Sequence, residues 1–197
     1  MKLSERQKAI LEATLSVVAR EGLNGFTMKK VAAEVGVTDA ALYKHFHEKT
    51  DIFEALAALF RERTLDALTE IAARPELSAL KKLEAFVLDR ARQFQEEPGL
   101  TVILFSEELF RSEPTIAALN LDTMERHAQL LRALVKEGQT EGSIRSDLNP
   151  HHVVLLLTGP VRMLVENWRS HPEDLLLDRI GQFWNTFSSL MIPAQAP

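Results

Sequence analysis

The chain has 197 residues, a length that suits one compact unit or a small domain fused to a larger one. Hydrophobic residues make up 46% of it and charged residues 26%, which provides for a real core beneath an ordinary soluble surface. The absence of cysteine excludes disulfides and thiolate metal sites and favours a reducing compartment. Because no long apolar run occurs, we expect a cytoplasmic protein without a signal peptide, a membrane span or a membrane partner.

The charge is distributed unevenly along the chain. Residues 1–50 hold eight Lys/Arg and six Asp/Glu, a balance of +2, while the remainder holds fifteen and twenty-two, a balance of −7. A weakly basic head followed by an acidic body suits a protein that presents only its N-terminal part to phosphates.

The first predicted helix spans residues 4–21. Apolar and small residues recur on one face at helical spacing, and Gly22 follows as a C-terminal stop. The members of this stripe are Ile10, Ala13, Thr14, Val17 and Val18.

Residues 27–49, TMKKVAAEVGVTDAALYKHFHEK, are predicted to form two short helices joined by a tight turn. Thr27 and Thr38 can each cap a helix, because a threonine hydroxyl accepts a bond from a backbone N–H of the first turn. Gly36, between the two helices, permits the left-handed conformation that ends a helix. This order of caps, helices and turn is that of a helix-turn-helix, whose second helix enters the DNA major groove.

The rest of the chain is predicted to be helical as well. A long helix starts near Lys49 and stops near Pro75, and no convincing strand pattern or fixed-period repeat follows. The further predicted helices span residues 77–97, 100–110, 116–137, 151–170 and 172–190. The predicted fold is therefore all-α, with about nine helices.

A set of residues at fixed spacing resembles the N-terminal signature of the TetR family of bacterial transcriptional regulators. These residues are Phe26-Thr27, Val31-Ala32, Gly36-Val37, Leu42-Tyr43, His45-Phe46 and Lys49. The resemblance covers about a quarter of the chain and implies a three-helix helix-turn-helix DNA-binding domain over residues 1–48. It implies a larger helical ligand-binding and dimerisation domain over residues 49–192, and we expect a disordered tail at 193–197.

The resemblance also implies which residues contact double-stranded DNA. Thr27, Tyr43 and Lys49 correspond to phosphate-binding positions, and His45 adds a further donor on the same stretch. The residues expected to approach bases are Lys29, Thr38, Ala40, Ala41 and Lys44. The alternative interpretation is an ordinary capped helix pair with solvated lysines.

Two acidic residues depart from the family pattern. Asp39, in the first turn of the second helix, could accept a hydrogen bond from cytosine N4 or could be only a helix-start residue. Glu48 places a negative charge beside Lys49, which bears on the phosphate contact of that lysine.

The body contains candidate contacts for a small hydrophobic or amphipathic effector. Aromatic and methionine side chains line apolar pockets well, although they fill cores equally well. The apolar candidates are Phe86, Phe94, Leu104, Phe105, Phe110, Met124, Met163 and Trp168. Arg90, His127 and Arg162 are polar residues on otherwise apolar faces; they could anchor an acidic or hydroxyl group, or could form internal salt bridges.

The last two predicted helices carry more apolar residues than packing against their own body requires. We therefore predict a homodimer in which these helices form a four-helix interface. The predicted interface residues are Leu157, Val161, Leu164, Ile180, Phe183, Trp184 and Phe187.

Nothing in the sequence supports an enzyme. The histidines are not spaced as metal ligands, and no metalloprotease motif, Gly-rich phosphate loop or nucleophile elbow occurs, so we expect neither a metal nor a cofactor.

Two functions from different classes therefore remain. The first is a homodimeric repressor that binds a palindromic operator and is released by a small apolar ligand. The second is a DNA-bound protein that acts through a protein partner, because PGLTVILFSEELF resembles the corresponding stretch of TetR-like nucleoid-occlusion proteins.

Overall fold

Ten α-helices and no β-strand make up residues 3–193, the part of the chain that this computed structural model describes. The predicted all-α class with an N-terminal helix-turn-helix is confirmed. The helices are α1 (Glu5–Gly25), α2 (Met28–Val35), α3 (Asp39–Tyr43), α4 (Lys49–Ala72), α5 (Ala79–Glu96), α6 (Pro98–Leu104), α7 (Glu107–Ser112), α8 (Pro114–Glu141), α9 (Pro150–Ser170) and α10 (Leu176–Met191). Of the predicted tail, residues 194–197 lie outside the described range.

The helices divide into two compact units. Unit 1 consists of the chain up to Arg63 together with Glu96–Asp122, and unit 2 consists of Thr64–Gln95 together with the chain from Thr123 onward. The predicted domain boundary between residues 48 and 49 stays a prediction. Unit 1 includes the start of α4 and the distant segment that carries α6 and α7, and α6 packs against α1.

The core of unit 1 is built from the apolar faces of its short helices. Ile10 and Val17 of α1, Val31 of α2 and Leu42 of α3 are fully buried. Full burial of such side chains stabilises the folded state by about 1.5–3 kcal/mol each.

Helix α6 belongs to unit 1 because it packs closely against α1. A Cβ atom on Gly99 would lie 2.2 Å from the backbone oxygen of Leu15, so only glycine permits this approach. Just before α6, Glu97 accepts a hydrogen bond from Arg63 of α4 at 3.2 Å. The segment is thus attached to both α1 and α4.

Unit 2 combines apolar packing with a few buried polar contacts. Helices α9 and α10 pack together, and Ile180 of α10 is fully buried. The buried ammonium group of Lys82 pairs with Glu137 at 2.7 Å. The Gln95 side chain accepts a hydrogen bond from Leu177 N at 3.2 Å, which satisfies a donor in the first turn of α10.

The structure has one helix more than predicted, because the predicted helix over residues 100–110 is two helices. Phe105 leaves the helical conformation, with φ −113° and ψ 7°. The Ser106 hydroxyl then accepts a bond from Leu109 N at 3.1 Å and caps a new helix.

The last helix also begins later than predicted, at Leu176 rather than at residue 172. Arg179 and Trp168 hold the preceding residues in a loop by donating hydrogen bonds to the carbonyl oxygens of His171 and Asp174, each at 3.0 Å.

Candidate functional site

The helix pair α2–α3 has the caps that the sequence predicts. The hydroxyl of Thr27 accepts a bond from Lys30 N, and the hydroxyl of Thr38 accepts one from Ala41 N, each at 3.2 Å. Gly36 is left-handed, with φ 72° and ψ 38°, and Val37 N donates to Ala32 O at 2.9 Å. These bonds complete the turn, so the orientation of α3 relative to α2 follows from the local sequence.

Helix α3 is anchored by one side chain and exposes most of the others. Leu42 is fully buried and Phe46, just beyond the helix, is nearly so. Ala41 is half-buried. The predicted DNA-binding residues with exposed side chains are Thr27, Lys29, Thr38, Ala40, Tyr43, Lys44, His45 and Lys49.

The basic residues in and around α2 and α3 fall into two groups, those that form an ion pair and those that do not. Lys30 pairs with Glu21, and Arg20 pairs with Glu34 at 3.2 Å. The hydrogen bond from Lys30 is the largest cause that lowers the pKa of Glu21. Lys29, Lys44 and Lys49, in contrast, form no ion pair with any residue between 3 and 193. The positive charges of Lys29, Lys44 and Lys49 are therefore available to a phosphate.

The start of α4 is also tightly organised. The Asp51 carboxylate accepts hydrogen bonds from the backbone N–H groups of His47 and Glu48, at 2.7 and 3.1 Å. These bonds hold the chain that leads into Lys49, the first residue of α4. Glu48 forms no ion pair with Lys49 within the described residues.

The predicted effector contacts are divided between the two units. Three of them lie in unit 1, where Leu104 is buried and Phe105 and Phe110 are half-buried. In unit 2, Met124 and Arg162 are exposed and Met163 is 66% exposed. The buried candidates of unit 2 are Phe86, Arg90, Phe94, His127 and Trp168.

Three of these candidates meet in a buried polar cluster. The rings of Phe86 and His127 lie edge to face, with centroids 5.6 Å apart, and the Arg90 guanidinium lies 5.9 Å from the Phe86 centroid. Arg90 also donates to the hydroxyl of Thr64 and pairs with Asp89 at 2.7 Å. Sequence reasoning missed Thr64, although it lies between the buried Phe60 and Leu68 at i, i+4 spacing and is a polar residue on an apolar face.

His127 is the unusual member of this polar cluster. Its side chain is only 7% exposed, and its Nε2 atom has no hydrogen-bond partner among the described residues. Burial, and secondarily the positive charge of Arg90, lowers the pKa of His127 to about 4. The imidazole is therefore neutral near pH 7 and carries a polar atom whose burial is costly unless something bonds to it.

A groove of about 560 Å³ lies elsewhere, in unit 1. Its lining residues are Glu12, Leu15, Ser16, Ala19, Arg20, Glu96, Glu97, Pro98 and Gly99. None of the predicted effector contacts is among them.

The predicted dimer residues differ in the surface that they can offer. Leu157, Ile180, Trp184 and Phe187 are buried within unit 2 and have almost no surface left for a partner. Val161, Leu164 and Phe183 are half-buried. The large exposed apolar side chains of α9 are instead Leu155, Leu156 and Met163.

Two further findings limit other classes of site. Within residues 3–193, no group of three or more His, Asp or Glu side chains is placed to hold a metal ion. No helix in that range has the length and apolar character needed to cross a bilayer.

The site is a capped helix-turn-helix with unpaired lysines, and a long helix and further α-helices follow it in the chain. This combination defines a DNA-binding regulator of the helix-turn-helix class. Residues 10–56 match the family model described as bacterial regulatory proteins, tetR family. The chain belongs to the TetR family.

Relatives and a solved structure agree with this family membership. The chain is 31% identical to nucleoid occlusion factor SlmA of Edwardsiella ictaluri over 140 residues, which covers 70% of each protein. It is 34% identical to nucleoid occlusion factor SlmA of Pasteurella multocida over 119 residues. This alignment covers 59% of this chain and 58% of that protein, which is less than two thirds of the relative's length. The fold is similar to that of the ketosteroid transcriptional regulator KstR2 of Mycobacterium tuberculosis, with a TM-score of 0.81, 18% identity and 98% of each chain covered.

The buried His127 makes the stability of the protein sensitive to acid. Its folded-state pKa of about 4 lies below the ordinary value of 6.5, so between these values the unfolded chain binds a proton that the folded chain does not. Stability therefore falls as the pH decreases from 6.5 to 4, by about 3 kcal/mol in total. We expect His127→Phe to remove this part of the pH dependence in urea unfolding measured between pH 7 and pH 4.

His152→Gln, which removes an exposed ring from α9, is the matched control for the loss of a histidine. If His127→Phe and the wild-type protein lose stability in parallel over this pH range, the buried imidazole is not the cause.

Proposed function

We propose that this protein is a homodimeric repressor that binds a palindromic double-stranded operator and is released by a small hydrophobic or amphipathic effector. The observation that carries the DNA-binding part is the capped helix pair with unpaired, exposed lysines. They lie in the first turn of α2, at the C-cap of α3 and at the first residue of α4. A DNA backbone requires such donors at the surface, while base reading requires side chains near the start of the recognition helix.

Each predicted DNA-binding residue has a role consistent with its exposure. Thr27, Tyr43 and Lys49 bind phosphates; the Thr27 hydroxyl already accepts a bond within the chain but keeps its O–H to donate. His45 adds a donor. Lys29, Thr38, Ala40, Ala41 and Lys44 face bases, where a methyl group of alanine suits contact with thymine.

The dimer is supported by the unburied apolar surface of α9. Leu155 and Leu156 are 54% and 58% exposed, and Met163 lies two turns further along the same helix. Val161 and Leu164 of α9 and Phe183 of α10 are half-buried and keep some apolar surface of their own. A second copy that covers it would be related by a twofold axis, which matches a palindromic site.

Release by an effector is supported by the buried polar cluster of unit 2. The unpartnered Nε2 atom of His127 is a group that a ligand hydroxyl or carbonyl would satisfy. Arg90 connects this cluster to α4 through Thr64, and the same helix begins with Lys49. A ligand that displaces these contacts would therefore act on the helix that carries a phosphate-binding residue.

A second candidate function is a DNA-bound protein that acts through a protein partner. It is favoured by the alignment with nucleoid occlusion factors, which extends well beyond the helix-turn-helix to about 70% of the chain. In this case the body would bind a protein rather than a small molecule, and effector release would be absent.

The DNA-binding proposal predicts two different kinds of variant. Lys49→Ala should weaken binding to every duplex and reduce the slope of log K against log salt concentration by about 1, because one phosphate contact is lost. Lys29→Ala should instead relax the preference at particular base pairs. Fluorescence anisotropy at several salt concentrations measures both effects.

Lys136→Ala, which removes an exposed lysine from α8 in unit 2, controls for net charge. The proposal fails if the wild-type protein prefers no sequence in its own upstream DNA over random duplex.

The dimer proposal predicts that Leu156→Glu gives monomers. The side chain is already exposed, so the charge should leave the subunit folded while opposing burial against a second copy. Because the dimer is the DNA-binding species, the variant should show both a lower molar mass in solution and a lower affinity for the operator. Sedimentation equilibrium and operator binding, measured on the same samples, check this.

Leu121→Glu is the matched control, since Leu121 is a 70% exposed leucine on α8 and lies in unit 1. A wild-type protein that is monomeric at micromolar concentration and still fully active on DNA would contradict the proposal.

The effector proposal predicts a co-purified or added small molecule that competes with DNA. By linkage, a ligand that weakens operator binding must itself bind less tightly to the DNA complex. Native mass spectrometry should therefore detect less bound ligand when operator duplex is added, and His127→Phe should reduce ligand retention. Ligands that bind without changing operator affinity would favour the protein-partner function instead.

A further inference from the structure

We propose that Asp39 reads sequence: its unbonded carboxylate, at the exposed first residue of the recognition helix α3, accepts a hydrogen bond from the N4 amino group of a cytosine in the major groove. This inference rests on the proposed DNA-binding function and adds a base-specific residue to it. It concerns a side chain that otherwise opposes the binding of DNA.

Two aspartates at helix starts in the same unit differ in what their carboxylates do. Asp51, in the first turn of α4, accepts hydrogen bonds from two backbone N–H groups and so completes the helix start. Asp39, in the first turn of α3, forms no hydrogen bond or ion pair with any residue between 3 and 193. The start of α3 is capped by the Thr38 hydroxyl instead. The Asp39 carboxylate is therefore not needed as a cap.

The position of Asp39 is that of a base-reading residue. Residues at the start of the recognition helix contact base edges when that helix lies in the major groove. Thr38, Asp39 and Ala40 form the exposed start of α3, and Leu42 holds the helix in place from its buried side. Asp39 is the residue in this group that carries a charge.

The chemistry of a carboxylate selects cytosine among the four bases. An ionised carboxylate only accepts hydrogen bonds. In the major groove, guanine presents the acceptors N7 and O6, and thymine presents the acceptor O4 and a methyl group, so both repel or fail to bond it. Adenine has an amino donor, but its neighbouring N7 is an acceptor. On the cytosine base itself, the N4 amino group is the only hydrogen-bonding group at the major-groove edge, and it is a donor.

The same charge weakens binding to any duplex that lacks this cytosine. The carboxylate is repelled by phosphates, whose attraction supplies the sequence-independent part of DNA binding. Removing it should therefore strengthen binding to random duplex and weaken discrimination at one base pair. Removing the charge of a residue that merely starts a helix would leave the discrimination at every base pair unchanged.

The test uses the full-length protein and a library of random duplexes. Wild-type protein should enrich sequences with a cytosine at one position of each half-site. Asp39→Ala should lower the preference for that cytosine about tenfold and leave the other positions unchanged. Asp39→Asn should shift the preference from cytosine to adenine, because asparagine both donates to N7 and accepts from N6 of adenine.

Glu12→Gln is the matched control, since it removes a negative charge from an exposed residue of α1 in the same unit. Circular dichroism and thermal melting verify that the variants are folded. If wild-type protein, Asp39→Ala and Asp39→Asn enrich the same bases, the inference about Asp39 is overturned while sequence-specific binding stands. If the wild-type protein enriches no sequence, the proposed function itself fails.

Discussion

The left-handed turn at Gly36 is the constraint on which the DNA-binding part of this molecule depends. It ends α2 within one residue, and the Thr38 hydroxyl immediately starts α3, so no loose residue separates the two helices. Buried Val31 and Leu42 then bind both helices to the unit 1 core. A helix of five residues is too short to be stable without tertiary contacts. The positions of the exposed residues of α3 therefore depend on these few bonds and buried side chains.

The segment Glu96–Asp122 is distant from α1 to α3 in sequence but belongs to the same unit. Its helix α6 approaches α1 so closely that Gly99 has no room for a side chain. Arg63 and Arg61 of α4 also pair with Glu97 and Asp122, at 3.2 and 2.8 Å. A displacement of this segment therefore acts on α1 and α4 together.

Charge is used differently in the two units. In unit 1, Glu34 and Glu21 pair with Arg20 and Lys30, while Lys29, Lys44 and Lys49 form no ion pair within residues 3–193. In unit 2, Arg90 is buried beside Asp89, and His127 stays neutral because burial and the neighbouring guanidinium both disfavour its charged form. The first arrangement suits an anionic partner and the second an apolar ligand with a polar group.

The sequence by itself determined the elements whose signals are local. Caps at Thr27 and Thr38, the turn at Gly36 and the all-α pattern were predictable, since each depends on side chains within a few residues of the backbone they satisfy. The tertiary structure decided which apolar faces are buried within the subunit: Trp184 and Phe187 pack inside unit 2, while Leu155 and Leu156 remain at the surface. It also decided that Thr64 joins Arg90 and that α6 packs on α1. These contacts join residues far apart in the chain, and helical periodicity identifies an apolar face without specifying what covers it.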